Sequence, residues 1–253
     1  MTMLTNDYPI HIRTLGCLSL EVDGGPLRFG RTSPRKPLAL LQALLSAHGQ
    51  AISTVAICES LWPDADPHDA YRALVTTVYR LRRWLRHRDA IRFDHAGIAL
   101  DASSVWVDAW AFERDVGAVE SLPTMVAALD LYRGAFLGDE QQAFVLEARD
   151  RLQRKFVRGV RSAGHQYEIA GNLHAAIGLY ERALEVVAVS EDIHRLLMQC
   201  LIQLGQTSAA AQIFQRCRML LASRLGVSPS APTVLAYRSI EAAARDQRVT
   251  SAA

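Results

Sequence analysis

The 253-residue sequence has no apolar run near the roughly 20 residues that a helix needs to cross a bilayer, so an integral membrane protein is not expected. Its first ten residues, MTMLTNDYPI, lack a basic segment followed by an apolar one, so no secretory signal is expected. It has only four cysteines (Cys17, Cys58, Cys200 and Cys217), far apart and without a CxxC pair. They suit reduced core thiols of a cytoplasmic protein better than a disulfide frame or a metal site. With 9 prolines and 15 glycines in a chain that is 50% hydrophobic, a mainly disordered or fibrous protein is excluded and one or two cored domains are expected.

Signatures of catalysis are missing too. The 8 histidines show neither an HExxH motif nor a Ser-His-Asp arrangement. There is no GxxxxGK[ST] phosphate loop and no GxGxxG turn. Asp64, Asp66 and Asp69 suggest a metal loop, but Pro63 and Pro67 interrupt it, and no glutamate follows at the spacing that calcium needs. No enzyme, cofactor or metal is expected.

What is present is arginine. Only Lys36 and Lys155 are lysines, and the formal net charge is +2. The charge is unevenly spread. Residues 72–92 hold seven arginines (Arg72, Arg80, Arg82, Arg83, Arg86, Arg88, Arg92) against one acid, Asp89. Such a cluster fits a polyanion-binding element, and equally a solvated helix face.

Hydrophobic period places the cluster. Ile10, Ile12, Leu18, Leu20 and Val22 alternate, and Asp23-Gly24-Gly25 supplies a turn, which predicts a small antiparallel sheet. Leu38, Leu41, Leu44 and Leu45 predict a helix from Arg35 to His48, stopped at Gly49. A second helix runs from a Ser53 cap to Leu61. A third begins near His68 and reaches about His87. Residues 91–100 read as a hairpin turning at Asp94-His95-Ala96-Gly97. Sheet, three helices and hairpin is the order of a winged helix-turn-helix.

On the third helix, Leu74, Val78, Leu81 and Leu85 form a stripe for burial. Arg72, Thr76, Tyr79 and Arg83 face away, flanked by Arg80 and Arg86. Guanidinium groups suit both guanine edges and phosphates, and Thr76 and Thr77 suit a base or a thymine methyl. Arg92 and His95 are candidates on the wing, and Arg35 and Lys36 at the start of the first helix. Partial burial is the plainer reading for Tyr79.

From 106 onward the sequence is almost all helical. Gly171-Asn-Leu-His-Ala-Ala176 with Tyr180-Glu-Arg-Ala183 returns as Gly205-Gln-Thr-Ser-Ala-Ala210 with Phe214-Gln-Arg-Cys217. The offset is 34 residues at four positions (171/205, 176/210, 180/214 and 183/217), the tetratricopeptide period. Residues 131–136 read as a weaker copy of a second helix. About three helical hairpins are expected, capped by a helix over roughly 231–245. The plainer alternative is a generic helical bundle.

These residues resemble a family. Ala73 to Leu85 is similar to the recognition helix of OmpR-type winged-helix domains, with its ending Leu-Arg-Arg. Leu61 to Pro67, Thr14-Leu15-Gly16 with Asp23-Gly24, Trp106 to Glu113, and the tail Leu225 to Ser230 with Thr233 and Tyr237 resemble the antibiotic-regulatory-protein (SARP) type of bacterial activator. In that type a winged helix precedes a bacterial transcriptional activator domain of tetratricopeptide-like hairpins. The implied fold is mainly α with a small β part. The implied domains are 8–105 for DNA binding and 106–246 for the activator part.

The resemblance directs Thr76, Thr77, Arg80 and Arg82 toward DNA, although the helical wheel sets Arg82 at the edge of the buried stripe. The wing departs from the family, with Gly97 followed by Ile98-Ala99 where a Gly-Tyr-Arg type of stretch is usual. The implied function is a cytoplasmic transcriptional activator without catalysis. Its partners would be double-stranded DNA carrying direct repeats upstream of promoters, RNA polymerase with its σ factor, and a second copy of the chain. The alternatives are a tetratricopeptide-type interaction scaffold, or the output region of a larger regulator.

Overall fold

The computed structural model describes residues 8–27, 35–117 and 121–239. The chain divides into two compact units, residues 1–115 with 131–152, and residues 116–130 with 153–253.

In the first unit the alternating opening segment forms β1 (Ile10–Arg13), β2 (Ser19–Val22) and β3 (Gly25–Leu27). The turn between β2 and β3 has positive φ at both Asp23 and Gly24, the pair that a two-residue hairpin turn requires. The expected sheet is antiparallel, but the structure adds a fourth strand. β6 (Val105–Val107) pairs parallel with β1, Ile10 opposite Val105, in the order β3-β2-β1-β6. Ile10, Ile12, Leu20, Val22, Val105 and Val107 are buried, because in a strand alternate side chains share one face.

Three helices follow: α1 (Arg35–Ser46), α2 (Thr54–Leu61) and α3 (Pro67–Leu85). Ser53 caps α2, its hydroxyl accepting from the Ala56 amide at 3.1 Å. α1 and α2 pack on α3 and on each other. After a 3-10 turn at Arg88–Ala90, β4 (Ile91–Asp94) and β5 (Gly97–Leu100) make the hairpin, Phe93 opposite Ile98. Ile52 anchors it by exchanging two 2.9 Å backbone hydrogen bonds with Ile98. Gly97 is needed there, since a Cβ would lie 2.2 Å from the Ile52 carbonyl oxygen.

α4 (Asp108–Gly117) starts at a buried carboxylate. Residues 131–136, expected as a helix, form no helix. Gly16 and Leu137 donate their amides to Ala135 and Thr14 carbonyls at 3.1 and 2.8 Å, and Leu15 bridges Phe136. Ala135 and Phe136, at the end of the segment that imitates a repeat, are thus recruited by the residues that follow β1, a long-range pairing that local period does not reveal. Arg149 fixes the loop that follows, donating to the carbonyls of Phe136, Gly138 and Glu140.

The second unit holds α5 (Leu122–Leu129), α7 (Leu173–Val186), α8 (Glu191–Gln203), α9 (Thr207–Leu225) and the later part of α6 (Ala143–Ile169). A further helical run, α10, occupies 231–239. The rest of the cap expected to 245 lies outside the described residues. The repeat is present in three dimensions. Gly171 and Gly205 both take left-handed φ (72° and 73°) between paired helices. Ala176 and Ala210, Tyr180 and Phe214, and Ala183 and Cys217 are buried in equivalent turns of α7 and α9. The Tyr180 hydroxyl donates to Glu168 at 2.7 Å, and the Cys200 thiol lies 3.5 Å from the same oxygen. Burial, with Glu168 beside it, pushes that thiol up to about 12.

Candidate nucleic-acid interface

α3 is built to hold a defined exposed face. Asp66 caps it, accepting from the His68 amide at 2.9 Å, and Pro67 fills the first position, where no amide is required. Ala70, Leu74, Val78, Leu81 and Leu85 are buried. Each fully buried Leu or Val of this stripe stabilises the packing by about 1.5–3 kcal/mol. That fixes the helix's rotation, and so fixes which residues point outward.

Arg72, Thr76, Tyr79, Arg80 and Arg83 are exposed on the opposite side, with Arg86 exposed at the cap position. Arg92 and His95 are exposed on the hairpin, and Arg35 and Lys36 are exposed at the start of α1. The Lys36 ammonium donates to the Leu61 carbonyl and sits 5.3 Å above the Trp62 ring. Lys36, Trp62, Asp69, Arg72, Ala73, Thr76, Thr77 and Arg80 line an open hollow of about 420 Å³. Three cations thus face one carboxylate across the junction of α1 and α3. Among the described residues, Arg72, Arg80, Arg83, Arg86 and Arg92 have no carboxylate partner within the fold.

Two expected site residues sit differently. Thr77 is buried, and its hydroxyl donates to the Ala73 carbonyl at 2.7 Å. Arg82 is half-buried, with one Nη donating to the Ile91 carbonyl at 2.7 Å. That contact ties α3 to β4, in keeping with the helical wheel's placement of Arg82 beside the core stripe. Two residues unmarked by the sequence reading share the exposed face, Tyr71 and Val75. Their spacing of four, continuing to Tyr79, is the signal that was available.

Arg86 ends α3 in the left-handed conformation, with φ 58°. Such a position favours glycine, yet it holds a cation.

The family follows from the comparisons. The family model "Bacterial transcriptional activator domain" matches residues 107–241. The chain belongs to that family. With the winged helix ahead of the matched region, it has the arrangement of a SARP-type transcriptional activator. It is 26% identical over 220 residues to the regulatory protein DnrI of Streptomyces peucetius, covering 78% of this chain and 80% of that one. It is 25% identical over 244 residues to the transcriptional regulatory protein MoaR1 of Mycobacterium tuberculosis, covering 90% and 77%. A solved structure of Mycobacterium tuberculosis EmbR in complex with a low-affinity phosphopeptide superposes with a TM-score of 0.69 at 20% identity. It spans 96% of this chain and 69% of that one, and carries the fold alone. The relatives are transcriptional regulators. No helix among the described residues is long and apolar enough to cross a membrane.

Proposed function

We propose that this SARP-type protein binds specific duplex DNA by laying α3 in the major groove and activates transcription by recruiting RNA polymerase. The observation that carries the reading is the set of unpaired guanidiniums on the exposed face of α3, at Arg72, Arg80 and Arg83. A groove about 12 Å wide admits one helix, and unpaired arginines there suit guanine edges and phosphates. Arg86, Arg92, His95, Arg35 and Lys36 extend the positive surface on both sides. Residues 8–105 form the DNA-binding module and 106–246 the activator module. Two copies bind direct repeats upstream of a promoter, the polymerase contact includes σ, and the protein works in the cytoplasm without a catalytic role.

Fluorescence anisotropy with a duplex selected from a random pool tests this. The affinity should fall steeply as salt rises, because each neutralised phosphate releases counterions. Arg80→Ala and Arg83→Ala should each weaken binding by a factor on the order of 10. Wild-type affinity in both variants would overturn the assignment of the interface. A salt-insensitive protein would fit a scaffold built on the helical repeats instead.

A further inference from the structure

The exposed face of α3 carries more than charge. Tyr71, Val75 and Tyr79 lie four residues apart along it, 47%, 43% and 60% exposed. Val75 is the informative one. A β-branched side chain loses rotamer freedom in a helix, which burial ordinarily offsets. At Val75 burial offsets it only in part, since nearly half of the side chain is open to solvent. Its neighbour Thr76 is branched and exposed too, and the Thr76 hydroxyl donates to the Arg72 carbonyl at 3.0 Å. With that hydrogen committed to its own helix, Thr76 has its methyl left to offer a partner. On the helix wheel Val75 lies within about 80° of both Arg72 and Arg83. Small apolar groups therefore stand among unpaired guanidiniums on a single surface.

A major groove offers one partner that suits such a mixture. Thymine alone among the four bases carries a methyl group there, while guanine presents the acceptors that arginine reads. We propose that Val75, with the Thr76 methyl beside it, packs against a thymine 5-methyl group and so sets a requirement for thymine within the bound sequence. The inference rests on the reading that α3 enters the groove, and adds a base identity to it. Arg72 and Arg83 hold the helix on the flanking guanines and phosphates, and the isopropyl group of Val75 excludes water from the thymine methyl.

The test uses the full chain and the duplex recovered by selection. Each thymine is replaced in turn by deoxyuridine, which removes the methyl and leaves every hydrogen-bonding group in place. Wild-type protein should lose about fourfold in affinity at one position, the worth of one buried methyl. Val75→Ala should bind the unmodified duplex more weakly by a similar factor, and should no longer respond to deoxyuridine at that position. The half-exposed site predicts an unchanged fold for this variant, checked by circular dichroism, and the scan with wild-type protein needs no variant. Wild-type indifference to every deoxyuridine, or a Val75→Ala protein that keeps the full response, would overturn the inference while leaving groove binding intact. Failure of the wild-type chain to bind any duplex would remove the groove reading and this inference with it.

Discussion

Asp108 holds Thr14 twice, accepting from its amide and its hydroxyl at 2.7 Å each through the same carboxylate oxygen. The other oxygen accepts from the Leu15 amide at 3.0 Å, and the Ala109 amide adds a fourth bond. A buried acceptor of this kind cannot be removed without orphaning amides. Asp108→Ala should therefore lower stability by about 3 kcal/mol, and Asp108→Asn, which sets an amide donor against a donor, by about 2 kcal/mol. Urea denaturation of the two variants measures this. Stability equal to the wild type would count against the clasp.

The same clasp bears on where the chain can be cut. A fragment of residues 8–105 loses most of β6, Asp108 and the pairing of residues 135–137 with the end of β1. It should melt at a clearly lower temperature than a fragment of residues 8–152. Equal melting temperatures would mean that these contacts add little.

Glu113 gives the first unit an acid-sensitive contact. It lies 2.6 Å from His48 and 3.2 Å from Arg151. Burial pushes its carboxyl up, but the bonds from His48 and Arg151 outweigh this and hold it at about 2, below the ordinary 4.5. Above both values the carboxylate is charged in the folded and unfolded chain alike, and the stabilisation is fully present. As pH falls from about 4.5 to 2, the unfolded chain takes the proton first and the stabilisation is lost. His48 and Arg151 are partly exposed, so solvent screening reduces the effect to about 1–2 kcal/mol. Melting curves at pH 6 and pH 3 should show a smaller drop for Glu113→Gln than for the wild type.

On the proposed reading of α3, Arg82 holds the helix in place and its neighbours grip DNA. Its bond to the Ile91 carbonyl predicts that Arg82→Ala costs about 1 kcal/mol of stability and leaves the salt dependence of DNA binding nearly unchanged. Arg80→Ala should do the reverse. A lower salt slope in Arg82→Ala would return that residue to the phosphate-binding set.

Gly164 lies against the Tyr180 hydroxyl, where a Cβ would come within 2.1 Å. Gly164→Ala should displace Tyr180 from Glu168 and cost about 2–3 kcal/mol, visible as a lower melting temperature. If it gained stability, as alanine does in an open helix position, the close approach would be refuted.

Local period carried the reading of α3 well. Leu74, Val78, Leu81 and Leu85 occur at helical spacing because they must share one face, and all four are buried. The 34-residue repeat was legible for the same reason, since Ala176 and Ala210 answer to equivalent packing. What stayed hidden depends on partners distant in sequence. Nothing near Val105 announces a parallel strand beside Ile10, and Phe136 looks helical until the end of β1 is available to pair with it. At the interface, period separated exposed from buried side chains but could not show that Arg82 bends back to a carbonyl. It also passed over Val75, because an apolar residue is ordinarily counted toward a core.

Arg86 remains. A glycine there would relieve the left-handed backbone and give a sturdier winged helix, since a non-glycine residue in that region gives up about 1 kcal/mol. The tip of α3 would then end on a neutral, bare backbone. Selection for heat resistance alone would favour Arg86→Gly early, and on the proposed reading of α3 the survivors would be firmer proteins with a weaker hold on DNA.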